Sequence, residues 1–344
     1  MQKNKIVITG GAGFIGTNAA LFFAQKGWEV TIIDNLSRKG VEHNLTAIRK
    51  SIPKLQFVKA EVGDTDVYAK QITESAVILH LAGQTAVTTS LLDPQHDFNT
   101  NVLGTFRLLE ALKKLNDEAI FLYSSTNKVY GDLHNHTLVK DDLHKRWENI
   151  SKPLGIDESE QLDFLSPYGV SKGSADQYVK DWAHSYGLRT IVFRQSCIYG
   201  PYQRGVEDQG WVAHFSKQLL AHRPITVFGD GYQVRDLLHV HDLVRAYEAA
   251  IERIELVRGS VYNIGGGLDN SYSVTQILDI LAQKIGVSPT ISYEKERLAD
   301  QKYFVSANQS IYQHLGWQPK IKLLDGLDTM IDWQRDNLEL ANQA

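Results

Sequence analysis

The apolar residues of the first two hundred positions fall into five-residue runs that are separated by longer amphipathic stretches. The first run, at 5–9, is rich in β-branched side chains, which is typical of a strand buried in a parallel sheet. The amphipathic stretches, such as 18–26, 102–114 and 172–185, are predicted to be helices. The strands predicted in this way are 5–9, 29–33, 56–60, 76–80, 119–123 and 190–194.

Strands that alternate with helices predict an α/β fold, here a Rossmann-like, doubly wound parallel sheet. After residue 199 the alternation loosens, and loops dense in Gly, Asp and Gln occur at 200–210, 229–234 and 265–271. Such a region is typical of a smaller C-terminal lobe that closes over a substrate.

Two domains are therefore predicted for the chain of 344 residues. The first is a Rossmann domain over 1–198, completed by a segment near 237–264, and the second is a substrate-binding lobe that makes up most of 199–344. The stretch 131–167 is long for a loop in a compact domain. We interpret it as an insertion or lid on the substrate side.

A glycine-rich turn follows the first predicted strand. Gly10, Gly13 and Gly16 are spaced Gly-x-x-Gly-x-x-Gly and lead directly into a helical pattern. Gly10 permits the tight turn, Gly13 lets the backbone approach a pyrophosphate, and Gly16 allows the helix to pack closely on the strand. The spacing differs from the Gly-x-Gly-x-x-Gly of ordinary dehydrogenases, so a glycine turn without ligand-binding function is the alternative.

The second predicted strand ends on Asp34, eighteen residues after Gly16. A carboxylate there accepts hydrogen bonds from the adenosine ribose hydroxyls and repels a 2′-phosphate, so the predicted cofactor is NAD. Arg38 is four residues further on and could pair with a 2′-phosphate instead. We favour the interpretation of Arg38 as a solvated loop arginine, so NAD stays the predicted cofactor.

Candidate chemistry follows the fifth strand. Ser124, Ser125 and Thr126 lie at the carboxyl edge of the sheet, where ligands bind in this fold class. Tyr168 and Lys172 are four residues apart and share one helix face, where an ammonium beside a phenol favours the phenolate. Tyr168 is therefore a candidate base at neutral pH. A Tyr-x-x-x-Lys spacing alone is common on helices, but its position after a dinucleotide motif favours a catalytic role.

Composition excludes several other functions. The net charge of −4 and the pI near 6.3 provide no basic surface for nucleic acid. The first residues lead straight into a strand, and no apolar stretch is long enough to cross a bilayer, so a cytoplasmic protein without membrane contact is expected.

Cys197 is the only cysteine, which excludes disulfides within the chain. The histidine pairs His134/His136 and His239/His241 lack a third ligand at a recognisable spacing, and no metal site is predicted.

Several motifs occur together in a characteristic order, and together they resemble the extended short-chain dehydrogenase/reductase superfamily over nearly the whole chain. Longer segments at 124–132, 163–173, 208–212 and 263–266 resemble the CDP-tyvelose 2-epimerases, also called CDP-paratose 2-epimerases. The motifs of the wider superfamily are Gly10-x-x-Gly13-x-x-Gly16, Asp34, Leu81-Ala82-Gly83, Asn101, Ser124-Ser125-Thr126 and Tyr168-x-x-x-Lys172.

This resemblance implies that enzyme-bound NAD takes hydride from C2 of a CDP-linked deoxyhexose such as CDP-paratose. The 2-keto sugar is then reduced on its opposite face, which is a step of lipopolysaccharide O-antigen biosynthesis. It also implies a homodimer or homotetramer. The catalytic residues would be Thr126, which positions the reacting oxygen, Tyr168, which takes the hydroxyl proton, and Lys172, which holds the phenolate and the nicotinamide ribose.

The resemblance also implies two sets of binding residues. Those for NAD are Gly10, Gly13, Phe14, Ile15, Gly16, Asp34, Asn35, Ser37, Arg38, Glu61, Val62, Leu81, Ala82, Gly83, Asn101, Tyr123, Ser124, Tyr168 and Lys172. Those for the nucleotide sugar are Thr85, Thr126, Asn127, Gln209, Gly210, Trp211, Arg235 and Arg297.

Some substrate residues have a structural alternative. Arg235 and Arg297 match positions that bind the diphosphate in relatives, yet each could instead form a structural salt bridge. Trp211 could stack on the base or belong to the core. Cys197 stands where many sugar epimerases carry asparagine, so substrate contacts must differ there.

Nucleotide-sugar dehydratases of the superfamily carry an Asp-Glu pair directly after the catalytic threonine, where this chain has Asn127 and Lys128. Dehydration is therefore disfavoured, and epimerisation, which needs only hydride transfer, stays feasible. Asn127 could bond the sugar, and Lys128 could stabilise an anionic intermediate or cap the loop. The alternatives for function are a 4-epimerase or dehydrogenase of a UDP- or GDP-linked sugar, and a non-catalytic NAD-binding protein.

Overall fold

The structure is a computed structural model that describes residues 4–337; residues 1–3, on which the expectation about a signal segment partly rests, and residues 338–344 lie outside the described part. The strands of this part are β1 (Lys5–Thr9), β2 (Glu29–Ile33), β3 (Gln56–Val58), β4 (Val77–His80), β5 (Ile120–Thr126), β6 (Leu138–Asp141), β7 (Arg146–Asn149), β8 (Arg189–Gln195), β9 (Cys197–Tyr199), β10 (Ile225–Phe228), β11 (Val234–His239), β12 (Val261–Ile264), β13 (Ser271–Ser273), β14 (Ile291–Glu294) and β15 (Tyr303–Phe304).

Helices connect most of these strands. Short 3₁₀ or π-helical turns lie between several of them, including the 3₁₀ turn Asn127–Tyr130 directly after β5. The α-helices are α1 (Phe14–Gln25), α2 (Val41–Ser51), α3 (Ala69–Glu74), α4 (Val87–Leu92), α5 (Pro94–Phe98), α6 (Gly104–Leu115), α7 (Ser166–Tyr186), α8 (Trp211–Leu220), α9 (Val240–Glu252), α10 (Ile254–Val257), α11 (Val274–Ile285), α12 (Gln309–Leu315) and α13 (Leu323–Asp336).

A parallel sheet of seven strands forms the centre, in the order β12-β8-β5-β4-β1-β2-β3. Six of these strands are the predicted ones, and the α/β, Rossmann-like class is confirmed. The seventh, β12, pairs with β8 from Val261↔Val192 to Ile264↔Gln195 and was not among the predicted strands. The long β5–β8 ladder continues to Thr126↔Gln195, so β5 carries the chain to the carboxyl edge of the sheet.

Helices cover both faces of this sheet, as a parallel sheet requires. Successive residues of β1 enter opposite layers: Ile6 and Ile8 lie in one buried cluster and Val7 in another. The first cluster also takes side chains from α1, α2 and α9, and the second takes side chains from α6 and α7. The two layers hold the strand ends in place at the carboxyl edge.

A smaller layer of helices and short strands follows in the C-terminal part. The strand β11 pairs with β13, β15 and β9, while β10 pairs with β14. The helices α8, α11 and α13 share a buried cluster with these strands. The domain division at residue 198 stays a prediction.

The stretch 131–167 contains an antiparallel hairpin of β6 and β7. The Trp147 backbone N–H donates to the Tyr232 carbonyl at 3.0 Å, and Arg146 Nη1 donates to the Ser271 carbonyl at 3.1 Å. The hairpin is thus attached to the C-terminal part of the chain. Across residues 4–337, none of the helices is both long and apolar enough to span a membrane.

Candidate active site

Two adjoining cavities open at the carboxyl edge of the central sheet. The first, of about 490 Å³, lies over the glycine-rich turn and the ends of β2 and β4. The second, of about 320 Å³, lies between the end of β5, the start of α7 and the C-terminal part of the chain. Thr85, Asp208 and Gln209 line both cavities, so the two cavities lie side by side at this edge, where ligands bind in this fold class.

The glycine-rich turn leaves no space for side chains at two positions. A Cβ on Gly10, which has a φ of 67°, would lie 2.7 Å from the Ala82 backbone nitrogen, and a Cβ on Gly16 would lie 2.4 Å from the Gly10 carbonyl oxygen. The helix α1 begins at Phe14, with Gly13 as its N-cap. The unpaired N–H groups of that helix end therefore face the first cavity, where a pyrophosphate fits.

Asp34 follows β2 directly and lines the same cavity. Its Oδ2 accepts from the Ala12 N–H at 3.0 Å and its Oδ1 from the Leu36 N–H at 2.8 Å. Burial raises the pKa of Asp34, and the two backbone hydrogen bonds oppose that rise. A carboxylate has about four lone-pair positions, so two are left for the hydroxyls of a ribose.

Most of the predicted NAD-binding residues share this cavity wall. Asn101 and Tyr123 are placed behind it: the Asn101 amide bonds Gln84, Asp97 and Ser171, and Tyr123 is fully buried. The predicted residues that line the first cavity are Gly10, Gly13, Phe14, Ile15, Gly16, Asp34, Asn35, Ser37, Arg38, Glu61, Val62, Leu81, Ala82, Gly83 and Ser124.

Removing the Asp34 carboxylate should narrow the preference for NAD over NADP. In Asp34→Ala, NAD binding should weaken about tenfold or more because a hydrogen bond to a charged group contributes roughly 1.5–3 kcal/mol. NADP binding should change less, since the repulsion is lost as well. Calorimetry on cofactor-free protein measures both affinities, and Asp117→Ala, which removes an exposed carboxylate far from the cavities, serves as the control. Tighter binding of NADP than NAD to the unaltered protein would contradict this role.

The predicted catalytic residues lie where β5 ends and α7 begins. Thr126 and Tyr168 both line the second cavity. Lys172 is buried one turn after Tyr168, and its Nζ donates to the Ser124 carbonyl and lies 4.3 Å from the centre of the Tyr123 ring. The structure thus brings Thr126 and Tyr168 to one surface and places Lys172 beneath it.

That Lys172 favours the phenolate of Tyr168 stays a prediction, and in the protein alone burial opposes both charged forms. Burial raises the pKa of Tyr168 to about 12, against an opposing interaction with the Thr126 side chain. Burial also lowers the pKa of Lys172 to about 7, although Asp176 and Asp97 favour its ammonium. Desolvation is the largest cause of both pKa shifts, and the neighbouring side chains oppose it only in part.

The low pKa of Lys172 predicts a specific pH dependence of stability. Between pH 7 and about 10.5 the unfolded chain holds the Lys172 proton and the folded chain does not, so this residue makes stability rise with pH. Over this pH range, the free energy of unfolding of Lys172→Met minus that of the unaltered protein should therefore be largest at pH 7. This difference should decrease by roughly 3–4 kcal/mol by pH 10, at about 1.4 kcal/mol per pH unit. Denaturant titrations of cofactor-free protein measure it. A constant difference over this range would mean that Lys172 stays charged.

All of the predicted substrate-binding residues line the second cavity. The two arginines are already paired with carboxylates: Arg235 Nη2 lies 2.6 Å from Asp300, and Arg297 contacts both Glu207, at 3.2 Å, and Asp208, at 3.1 Å. A bound diphosphate would compete with these carboxylates for the guanidinium groups. The predicted residues on this wall are Thr85, Thr126, Asn127, Gln209, Gly210, Trp211, Arg235 and Arg297.

Trp211 and Cys197 line the second cavity, and Arg38 contacts two of the residues that line it. Trp211 is the first residue of α8 and is half-buried on the cavity wall. Its ring packs edge-on against the buried Phe215, with 5.6 Å between ring centres, so Trp211 contacts the core as well as the cavity. Cys197 also lines the wall, and burial raises the pKa of its thiol to about 12. Arg38 reaches across from the first cavity and donates to the side chains of Thr85 and Gln209.

The segment 299–301 is a part of the site that the sequence did not predict. Lys128 Nζ donates to the Ala299 carbonyl at 2.9 Å and lies 3.4 Å from Asp300 Oδ1, so it links two loops, and Lys128 also lines the second cavity. Burial opposes ionisation of Asp300, but Arg235 and Lys128 hold the pKa of its carboxyl below the usual value. Lys128 is more than 170 residues from Ala299 and Asp300, and Arg235 is 65 residues from Asp300, so no local sequence pattern signals these contacts.

Comparisons with known proteins agree with this geometry. The family model described as "NAD dependent epimerase/dehydratase family" matches residues 6–265. The chain is 40% identical over 336 residues to CDP-paratose 2-epimerase from Salmonella typhi, covering 96% of this chain and 98% of the relative. The crystal structure of a UDP-glucose 4-epimerase with UDP-glucose from Thermotoga maritima is 30% identical, with a TM-score of 0.83 and coverage of 97% and 99%. A Thermus thermophilus UDP-glucose 4-epimerase in complex with NAD is 26% identical, with a TM-score of 0.79 and coverage of 96% and 99%.

Proposed function

Because the chain belongs to the NAD dependent epimerase/dehydratase family, we propose that it is a nucleotide-sugar epimerase that inverts C2 of a CDP-linked deoxyhexose. Its cofactor is NAD, which supplies the hydride acceptor and donor when it is bound. CDP-paratose is the proposed substrate and CDP-tyvelose the product. The 40% identity over nearly the full length of a relative named CDP-paratose 2-epimerase is the observation that carries the choice of C2 and CDP.

The residues after Thr126 favour epimerisation over dehydration. Elimination of water needs an additional acid and base next to the reacting sugar. Here Asn127 bonds Gln301 and Lys128 bonds Ala299 and Asp300, so both side chains are engaged in the protein. In epimerisation, hydride leaves one carbon and returns to the same carbon. This needs only the group that takes and returns the hydroxyl proton, and no additional acid–base pair.

The proposed roles of the chain's own residues follow from their positions. Tyr168 must first lose its phenol proton; the phenolate then takes the proton of the sugar hydroxyl as hydride leaves the carbon and returns it when hydride comes back, while Thr126 positions that oxygen from the same wall. Lys172 lies below and would hold the nicotinamide ribose. Arg235 and Arg297 would anchor the diphosphate while the sugar turns its opposite face to the cofactor.

A UDP-linked 4-epimerase is the second candidate, because solved UDP-glucose 4-epimerases share this fold at TM-scores of 0.79 and 0.83. An NMR time course with CDP-paratose and, separately, UDP-glucose distinguishes the two candidates. The proposal expects the C2 proton signals of CDP-paratose to convert to those of the C2 epimer. Turnover of UDP-glucose alone would establish the 4-epimerase, and turnover of neither would contradict both.

A further inference from the structure

The ammonium group of Lys172 is buried without a carboxylate in direct contact. Lys172 belongs to α7 and is 7% exposed. Within residues 4–337, it takes part in no ion pair of 4.0 Å or less. Its Nζ instead donates to the Ser124 carbonyl and lies 4.3 Å from the centre of the Tyr123 ring. A buried charge needs such partners, because burial removes the water that would otherwise stabilise it.

Ionisable groups face Lys172 from several elements, but they stabilise its ammonium only from a distance. Asp176 is joined to Arg194 by two hydrogen bonds of 2.9 Å, so much of its charge is already balanced. Burial raises the pKa of Asp97, and burial lowers the pKa of His80 to about 3, which keeps His80 neutral at pH 7. The ionisable groups that surround Lys172 are Asp176 on the same helix, Asp97 on α5, His80 on β4 and Tyr168 one helical turn earlier.

The Tyr123 ring can stabilise the ammonium at close range. The face of an aromatic ring carries negative charge and attracts a cation that lies within about 6 Å of its centre. This attraction is stronger where water is excluded, and Tyr123 is fully buried on β5. The ring therefore favours the charged form of Lys172, which burial disfavours.

The ring differs from a carboxylate in what it leaves for a ligand. Nζ of Lys172 has three N–H groups, and a carboxylate would accept hydrogen bonds from them in competition with any ligand. The ring face and the Ser124 carbonyl leave at least one N–H group for another acceptor. Gly83 and Ser124 line the first cavity, and a Cβ on Gly83 would lie 4.0 Å from Lys172 Nζ. The ammonium is thus held next to the cofactor cavity.

We propose that Tyr123 is a positioning residue whose ring face stabilises the Lys172 ammonium beside the first cavity and leaves an N–H group for the ribose of the bound cofactor. Tyr123 lies behind the cavity wall, so it acts on the cofactor through Lys172 and not by contact. The part that Lys172 takes in the reaction rests on the proposed function, whereas the contact between ring and ammonium does not.

Fluorination of the ring tests this contact with little change in volume. Fluorine withdraws electrons and weakens the negative face of the ring. Tyr123→Phe is compared with the same variant carrying a difluorinated or a trifluorinated phenylalanine at this position of the full-length protein. The pKa of Lys172 should fall stepwise along this series, by about one pH unit in total, because the ammonium loses stabilisation. NMR of isotope-labelled lysine side chains measures this pKa, and loss of the signal in Lys172→Met assigns it.

Phe121 provides the matched control. It is fully buried and lies two residues earlier on β5, and the same fluorinated residues at this position should leave the pKa of Lys172 unchanged. A constant pKa across the Tyr123 series, or an equal fall with the analogues at Phe121, would overturn the inference.

The pH dependence of kcat/KM separates this inference from the proposed function. It is measured on the same variants loaded with NAD, and the alkaline limb should move to lower pH together with the pKa of Lys172. A pKa that falls while the alkaline limb stays in place would contradict the catalytic role of Lys172 and support the contact alone. Absence of epimerase activity in the unaltered protein would contradict the proposed function, and the NMR measurement would still decide whether the ring stabilises the ammonium.

Discussion

Tyr168→Phe should lower turnover by about 10²- to 10⁴-fold, the range that general acid–base catalysis contributes. The substitution removes the phenol hydroxyl, which lines the same cavity wall as Thr126 and is the proposed acceptor and donor of the sugar hydroxyl proton. It keeps the ring, and the Tyr168 backbone N–H still donates to Ser90 Oγ at 3.1 Å, so the fold should be unchanged. NAD affinity should stay within a few-fold, because Tyr168 does not line the first cavity.

Tyr178→Phe provides the matched control for this experiment. Tyr178 lies on the same helix, α7, and is 44% exposed. Loss of its hydroxyl should leave turnover unchanged. Steady-state rates and cofactor affinity are measured for both variants. A Tyr168→Phe enzyme with near-normal turnover would place the proton transfer on another residue.

Asp176→Ala should lower the free energy of unfolding by about 3–5 kcal/mol, the usual loss when one partner of a buried ion pair is removed. Asp176 and Arg194 have side-chain exposures of 0% and 4%, and two hydrogen bonds of 2.9 Å join them. Ser125 also donates to Asp176 at 2.7 Å. The alanine variant would leave the Arg194 guanidinium buried without its carboxylate, and this uncompensated charge is the main source of the loss.

Denaturant unfolding of the cofactor-free protein measures this effect. Asp181→Ala, an exposed carboxylate on the same helix, should change stability by no more than about 0.5 kcal/mol. The double variant Asp176→Leu with Arg194→Met removes both charges and should recover a large part of the loss. A loss below about 1 kcal/mol in Asp176→Ala would show that water or another group compensates Arg194.

The local parts of the fold could be predicted because each is encoded within a few residues. Short apolar runs mark six strands of the central sheet, and the glycines at 10, 13 and 16 mark the turn over the first cavity. The strand β12 could not be predicted in this way. It is four residues long, and its place beside β8 follows from a pairing between segments about seventy residues apart.

The candidate site shows the same division between local and distant contacts. Tyr168 and Lys172 share a helix, so their proximity follows from their spacing. The spacing does not predict their pKa values, because it says nothing about desolvation, which is the largest cause of both pKa shifts. The partners of Asn127, Lys128 and Arg235 at 299–301 come from a distant loop and are visible only in the folded chain.

The central claim, that hydride leaves C2 and returns to the same carbon, is tested most directly with CDP-paratose deuterated at C2. Hydride transfer within the closed site keeps the label apart from water, whereas deprotonation at carbon would exchange it with the solvent. In ordinary water, NMR and mass spectrometry of the epimerised product should show deuterium retained at C2, with no accumulation of oxidised sugar. Product that carries hydrogen at C2 would contradict the proposed mechanism.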